Sequence, residues 1–371
     1  MKVAIVHDWL TGMRGGEKVL ECLCELYPGA DLYTLVHIEG SCSDIIEGMN
    51  IHTSFIDQIP GRKRYYRHML PLMPFAIERF ILKDYDLILS SSHCVAKGII
   101  PGPDSVHISY VHSPMRYVWD MYEDYFGKGR INPIAGGIIP FFATGLRQWD
   151  VTSSARVDCF IANSGHVARR INKYYRRDAG VIHPPLDLER FSIKPDRADY
   201  FLMLTAFAPY KRVDLAIQAF NAIKKPLKIV GSGQDEKRLK EMAGPTIEFM
   251  GWQSDAQIVD LYSRCQAFIF PGEEDFGITP LEAMASGRPV IAFARGGALE
   301  TIRGLDHSNP TGVFFAEQGV DSLLGAIHLF EDNCSGFDPE QIRAHAAHWN
   351  RDRFKNEIMG AIDTCLAKKG A

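Results

Sequence analysis

The sequence predicts an α/β chain built from two Rossmann-like domains with parallel sheets. Three observations carry this expectation. Short apolar runs, such as residues 2–6, 86–90, 200–205 and 227–230, are separated by loops and helical stretches, the alternation that builds parallel sheets. Residues 267–293 read as a complete βαβ unit: the apolar run AFIF, a glycine-bearing acidic loop, a short helix ending at Gly287, and a new strand from Pro289. Finally, residues 181–187 (VIHPPLD) carry two prolines and read as a linker, placing a boundary near Pro185 in a chain of 371 residues, a length suited to two domains.

The βαβ unit holds the chemistry. Thr279 is expected to cap the helix, with Pro280 in its first turn and Glu282 closing a Thr-x-x-Glu box. Unpaired amides near Gly277, Ile278 and Thr279, and the helix dipole, favour an anion there. Glu274 and Glu282 would repel a phosphate, so they are expected to face neutral hydroxyls. A ligand with phosphates in its middle and hydroxyls at both ends fits, and a sugar nucleotide is such a ligand. The plainer reading is that Glu282 only caps the helix and Glu274 is solvated. The Glu-x7-Glu pattern within EDFGITPLEAMASGRPV resembles the signature of retaining glycosyltransferases of family 4, which have the GT-B fold of two Rossmann-like domains facing across a central cleft. The resemblance implies that Glu274 meets the donor sugar and Glu282 the ribose. It implies that the backbone of Phe276, Gly277, Ile278 and Thr279 lies along the sugar and diphosphate.

Taken in order, residues 2–6 are a buried strand, followed by a loop and a helix from Glu17. Gly15 and Gly16 stand just before that helix, where glycine lets a backbone approach a ligand closely. The alternative is an ordinary strand-to-helix turn; the family places donor diphosphate here. Residues 61–75 are basic, then apolar. Arg62, Lys63, Arg64 and Arg67 are open to two readings, contact with anionic lipid headgroups or a solvated turn ahead of a core helix. Asp84 and Asp86 resemble a metal-binding Asp-x-Asp, but they precede a strand rather than follow one, and no metal or other cofactor is expected. His112 ends the strand of residues 107–111 in a loop with Arg116 and Trp119. Its position matches the family's active-site histidine, which implies contact with the transferred sugar. Residues 130–146 (RINPIAGGIIPFFATGL) lack helical regularity and read as an acceptor- or membrane-facing loop or a buried connector.

The second half opens with the strand 200–205, then Lys211 and Arg212 at a helix start, where cations make sense if they face an anion. The family has an Arg five positions before this Lys. Here that position is Ala206, and Arg212 is the substitute on offer. Gly231 and Gly233 follow a strand, and Trp252 follows another; the family places the nucleotide near these turns, with Trp252 placed to stack beside the base. The family also implies that a terminal helix crosses back to the first domain. The expected domains are therefore 1–185 on the acceptor side, 186–350 binding the nucleotide sugar, and 351–371 as the returning helix.

Composition excludes several classes. The net charge of −4 argues against a general nucleic-acid binder. The first 185 residues sum to +1 and the rest to −5. The eight Cys show neither Cys-x-x-Cys nor Cys/His ligand spacing, so reduced thiols and a cytoplasmic location are expected, with no disulfide framework. Neither half holds the full Gly-x-Gly-x-x-Gly and distal acid of a nicotinamide dehydrogenase. The expected activity is retaining transfer of a hexose, mannose from GDP-mannose by resemblance, to a saccharide or lipid-linked saccharide, with the alternatives of a UDP-sugar donor or a non-catalytic sugar-nucleotide binder. Peripheral association with the cytoplasmic face of a membrane is part of this expectation.

Overall fold

The computed structural model describes residues 1–127 and 133–369. The described residues divide into two compact units, one from the segment 1–185 together with 352–369, and the other 186–351.

In the first unit seven parallel strands lie in the order β3-β2-β1-β4-β5-β6-β7. They are β1 (Val3–His7), β2 (Asp31–Thr34), β3 (Asn50–Thr53), β4 (Leu87–Ser92), β5 (Val106–Val111), β6 (Cys159–Ala162) and β7 (Ala179–Val181). Both faces are covered. Val3 and Ile5 of β1 join one apolar cluster, whereas Ala4 and Val6 join another on the opposite face. Strand order reverses between β1 and β4, so the crevice at their carboxyl ends is the switch point where open sheets accept ligands. The terminal helix Arg351–Lys369 packs into this unit, with Phe354, Ile358 and Ile362 in the same cluster as Ile5 and Leu89.

The second unit repeats the design. Six parallel strands run β10-β9-β8-β11-β12-β13, with β8 (Phe201–Leu204), β9 (Leu227–Val230), β10 (Ile247–Gly251), β11 (Phe268–Phe270), β12 (Val290–Phe293) and β13 (Gly312–Phe315). Its switch point lies between β8 and β11.

Three local expectations are corrected. Residues 133–146 are helical, inside the helix Pro133–Ser154, although Pro140 stands within it; residues 130–132 lie outside the described residues. Anchors further along override the weak local pattern: Ala143 and Leu146 are buried, Trp149 donates to Glu78 at 2.8 Å, and Asp150 meets Lys97 at 3.0 Å. The cysteines are not all thiols, because Cys159 of β6 and Cys365 of the terminal helix form a disulfide. They are 206 positions apart, and the helix's return rather than any local spacing pairs them. The helix of the acidic βαβ unit starts at Ile278 with Gly277 as its cap, so Thr279 lies inside the first turn and closes no capping box. Gly277 takes φ 86, open to glycine, and the chain therefore turns two positions earlier than the Thr signal placed it.

His107 of β5 is fully buried, between the Ser90 hydroxyl at 2.9 Å and the Arg156 carbonyl at 3.2 Å. Burial, ahead of all other causes, holds its pKa down to about 4. The folded state therefore refuses a proton that the unfolded chain accepts below its ordinary value of about 6.5. Stability is unaffected above that value and falls as pH drops through the window down to 4. We expect His107→Gln to remove about 3 kcal/mol of acid-induced loss across this window, measured as the difference between wild-type and variant denaturation midpoints at stepped pH.

Candidate functional site

The loops at the switch point of the second unit bring two predicted turns together. After β8 the chain makes a short turn, Pro209–Lys211, and Arg212 adopts φ 52 before the helix Val213–Ile223. After β11, residues 271–277 form the acidic loop. Gly272 joins the two. A Cβ there would lie 2.8 Å from the Tyr210 carbonyl oxygen and 2.9 Å from the Lys211 Cα, so only glycine lets the backbones lie this close. The result is an ion pair of Lys211 Nζ and Glu274 Oε1 at 2.5 Å, with both side chains mostly buried. Gly296 and Gly297, after β12, support the acidic loop from behind. The Gly297 amide donates to the Glu274 carbonyl at 2.9 Å, and a Cβ on Gly296, at φ 67, would overlap that same oxygen.

Phe276 is buried beside this pair, and the helix Ile278–Ala285 begins directly after Gly277, so the Ile278 and Thr279 amides are its first donors. Glu282 is buried on that helix and accepts from the Tyr262 hydroxyl at 3.1 Å. Burial first, and Glu282 next, push the Tyr262 phenol well up, so it stays protonated and donates. Arg212 does not join Lys211. Its guanidinium meets Asp214 at 3.2 Å and Gln318 at 3.5 Å, and Gln318 in turn donates to the Pro271 carbonyl at 2.9 Å. Arg212 thus ties the β8, β11 and β13 loops together. Gly231 has a packing reason of its own, since at φ 138 a Cβ would overlap the Thr205 carbonyl. Trp252, after β10, is 84 % exposed. It lies on the edge strand, three strand spacings or roughly 14 Å from the end of β11.

The first unit builds its own polar centre at the β1/β4 switch point. His112, directly after β5, meets the Ser91 hydroxyl through Nε2 at 2.8 Å, and Gly16 lies beside its ring. Gly15 opens the helix Gly15–Leu26. Asp8, wholly buried after β1, accepts from the amides of His93 (2.7 Å), Cys94 (2.9 Å), Val95 (2.6 Å) and Ala96 (2.8 Å), and pairs with His93 at 3.1 Å. Burial alone would raise its pKa, but His93, His7 and the amides together lower it. Arg116 lies near enough to His93 to help lower that imidazole's pKa, after burial as the main cause.

His7, Asp8, Glu17, Ser91 and His93 escaped the sequence reading. The available signal was the HD pair ending the first strand and the SSSH run ending the fourth, polar residues at strand carboxyl ends. Arg62, Lys63, Arg64 and Arg67 form no part of either centre. Arg62 pairs with Asp57 at 2.6 Å, while Lys63, Arg64 and Arg67 are exposed.

Residues 187–347 match the family model described as Glycosyl transferases group 1. Among curated proteins, the human alpha-1,3/1,6-mannosyltransferase ALG2 is 30 % identical over 209 residues, covering 44 % of this chain and 50 % of the relative. The Escherichia coli O-antigen chain mannosyltransferase C is 28 % identical over 158 residues, covering 37 % of this chain and 42 % of the relative. The chain thus spans about half or less of the length of these relatives. Among solved structures, Anabaena HepE in complex with UDP superposes with TM-score 0.70 at 15 % identity, covering 98 % of this chain and 100 % of the other. Sucrose-phosphate synthase from Thermosynechococcus elongatus does so with TM-score 0.72 at 16 % identity, covering 99 % and 100 %. These superpositions show the GT-B fold, and the match to the glycosyl transferases group 1 model falls within the second unit.

The glycine support of the acidic loop is testable without substrate. Gly296→Ala should destabilise the protein by about 3 kcal/mol, from a left-handed backbone and a clash with the Glu274 carbonyl. Chemical denaturation would measure this, and an unchanged midpoint would mean that the loop is not held from behind.

Proposed function

We propose that the chain is a retaining glycosyltransferase of family 4, moving a hexose from a nucleoside diphosphate sugar to a saccharide hydroxyl. The observation that carries this is the Lys211–Glu274 ion pair at the switch point of the second unit. An ion pair of this kind stabilises little once desolvation is counted. Its use lies in offering a cation and a carboxylate side by side. A diphosphate attracts Lys211, and the released Glu274 then accepts from sugar hydroxyls. The amides of Ile278 and Thr279 add donors for phosphate oxygen. Trp252 and the turn at Gly231 lie towards the other edge of the sheet, at a distance that suits a base when the sugar sits over β11.

In the proposed reaction the bond from the anomeric carbon to the phosphate oxygen breaks, and the acceptor oxygen bonds to that carbon on the same face. The acceptor proton passes to the leaving phosphate oxygen. Lys211 stabilises the charge gathering on the diphosphate, the kind of term that dominates such chemistry. Glu274 orients the sugar. Arg212 acts on the diphosphate only indirectly, by holding the loops. The reaction needs no metal in this reading.

Mannose is the favoured sugar because relatives are named mannosyltransferases, one of them of the O-antigen chain; GDP-mannose as donor, and a lipid-linked saccharide in surface polysaccharide synthesis as acceptor, complete the proposal. A UDP-sugar is the second reading, because HepE was solved with UDP. The proposed location is the cytoplasmic face of a membrane. Among the described residues no helix is long and apolar enough to cross one. The first unit instead exposes Leu72, Phe75 and Ile81 beside the cations Lys63, Arg64 and Arg67, and Ile138 and Phe141 on a helix of the same unit. Apolar side chains mixed with cations suit an anionic interface.

A panel of GDP- and UDP-sugars, assayed for release of nucleoside diphosphate, should single out one donor, and Glu274→Ala should lower that rate by about 100-fold or more. An unchanged rate in Glu274→Ala removes the role given to this carboxylate. In flotation with vesicles containing anionic lipid, the protein should float, and the double variant Phe75→Ser/Phe141→Ser should float less. Equal flotation of both proteins would discard the membrane face.

A further inference from the structure

In the first unit, the start of β6 meets the last turns of the terminal helix, and a disulfide joins them. Along β6 the side chains alternate. Phe160 and Ala162 belong to one apolar cluster, whereas Cys159 and Ile161 lie against the cluster that the terminal helix enters. On that helix Phe354, Ile358, Ile362 and Cys365 form a single buried stripe, each three or four residues from the next. Strand alternation and helical period therefore bring the two cysteines to the same layer, with Cα atoms 6.5 Å apart, inside the ordinary range for a bridge.

The bridge is not what docks the helix as a whole. Its first turns have anchors of their own. The Arg353 guanidinium donates to the carbonyls of His183 at 2.9 Å and Pro184 at 3.1 Å, and Lys355 pairs with Glu25 at 2.7 Å. The Phe354 ring meets that of Tyr110 edge-on at 5.7 Å, and Ile358 and Ile362 continue into the core. Cys365 lies beyond all of these, and Asp363, Thr364, Ala367 and Lys368 around it are exposed. A unit of this length buries core enough to fold without a cross-link. Opening the bridge therefore releases the last turns and leaves the fold. The bridge is also within reach of a thiol. β7 pairs with β6 only from Phe160 onward, so Cys159 lies outside that cover and is half-buried. The free thiols Cys24 and Cys42 of the same cluster are poor rivals in exchange. Burial, ahead of other causes, pushes Cys24 up to about 12 and moves Cys42 upward as well, and the thiolate is the form that attacks.

We propose that Cys159 and Cys365 are a reversible thiol–disulfide modification site that docks or releases residues 363–369 of the terminal helix. In opening, a dithiol reductant supplies two electrons and two protons. The sulfur–sulfur bond breaks, each cysteine becomes a thiol, and the reductant becomes its own disulfide. Closing runs the other way: a small disulfide such as oxidised glutathione takes the two electrons and leaves as two thiols. The site stands on the first unit alone and does not depend on the transferase reading. A permanent staple is the plainer structural reading, and the test separates the two.

The test uses the full chain, equilibrated with either oxidised glutathione or dithiothreitol, with remaining thiols then alkylated. After oxidised glutathione, digestion should yield a peptide joining Cys159 to Cys365. After dithiothreitol under native conditions both should carry the alkyl group, and a return to oxidised glutathione before alkylation should restore the joined peptide. On reduction, amide hydrogen exchange over residues 363–369 should speed up by about tenfold or more, while β6 and residues 352–358 keep their rates. Cys365→Ala should show the fast rates with and without reductant, and reduction of the wild type tests the same point without a substitution. Cys159 and Cys365 both alkylated after oxidised glutathione overturns the site. A bridge that opens only when the whole unit exchanges is a permanent staple and overturns the switch, as does unchanged exchange over 363–369 in the reduced protein.

Discussion

The second unit depends on a missing side chain. Gly272 lets the loop after β11 lie against the turn after β8, and the Lys211–Glu274 pair exists because those two backbones touch. Any larger residue would push the acidic loop outward and separate the charges. Gly296 and Gly297 complete the arrangement by letting the β12 turn close on the same loop. Strand order supplies the rest, because the β8–β11 reversal sends the two connections to opposite faces and leaves a crevice between their first residues.

The first unit has the same reversal at β1 and β4 but fills it differently. There the crevice holds Asp8, His7, Ser91 and His93, buried or half-buried and tied to one another. Four amides on one carboxylate offset the cost of burying its charge. They also fix the turn after β4, which sets the height of the serine that His112 meets. One topology thus supports an open charge pair in one unit and a closed polar lattice in the other.

A second buried network governs what the first unit shows to solvent. Lys97 reaches Asp150 at 3.0 Å and the Ser153 hydroxyl at 2.7 Å, while Trp119 and Tyr175 donate to the other Asp150 oxygen at 2.8 and 2.9 Å. Breaking such a pair by removing one partner costs about 3–5 kcal/mol. The network grips the later turns of the helix Pro133–Ser154, so its earlier part keeps Ile138 and Phe141 exposed without unfolding.

Periodicity and punctuation in the sequence were enough for the alternating strands and helices and the acidic βαβ unit, because these arise from interactions between near neighbours in the chain. Lys211 and Glu274 were each legible as a charged residue in a loop after a strand, whereas their ion pair was not, because it depends on the close approach at Gly272. The cap at Gly277 was missed because Thr279 is the stronger local signal, while the choice between them belongs to the packing of the Gly277 backbone against the Phe270 ring. The helix over 133–146 was missed because its support comes from Glu78 and Lys97, well over thirty residues away. Cys159 met Cys365, and His112 met Ser91 and His7, only when separate strands and a returning helix came into register. Such contacts depend on distances that no spacing along the chain encodes, so they belong to the tertiary structure alone.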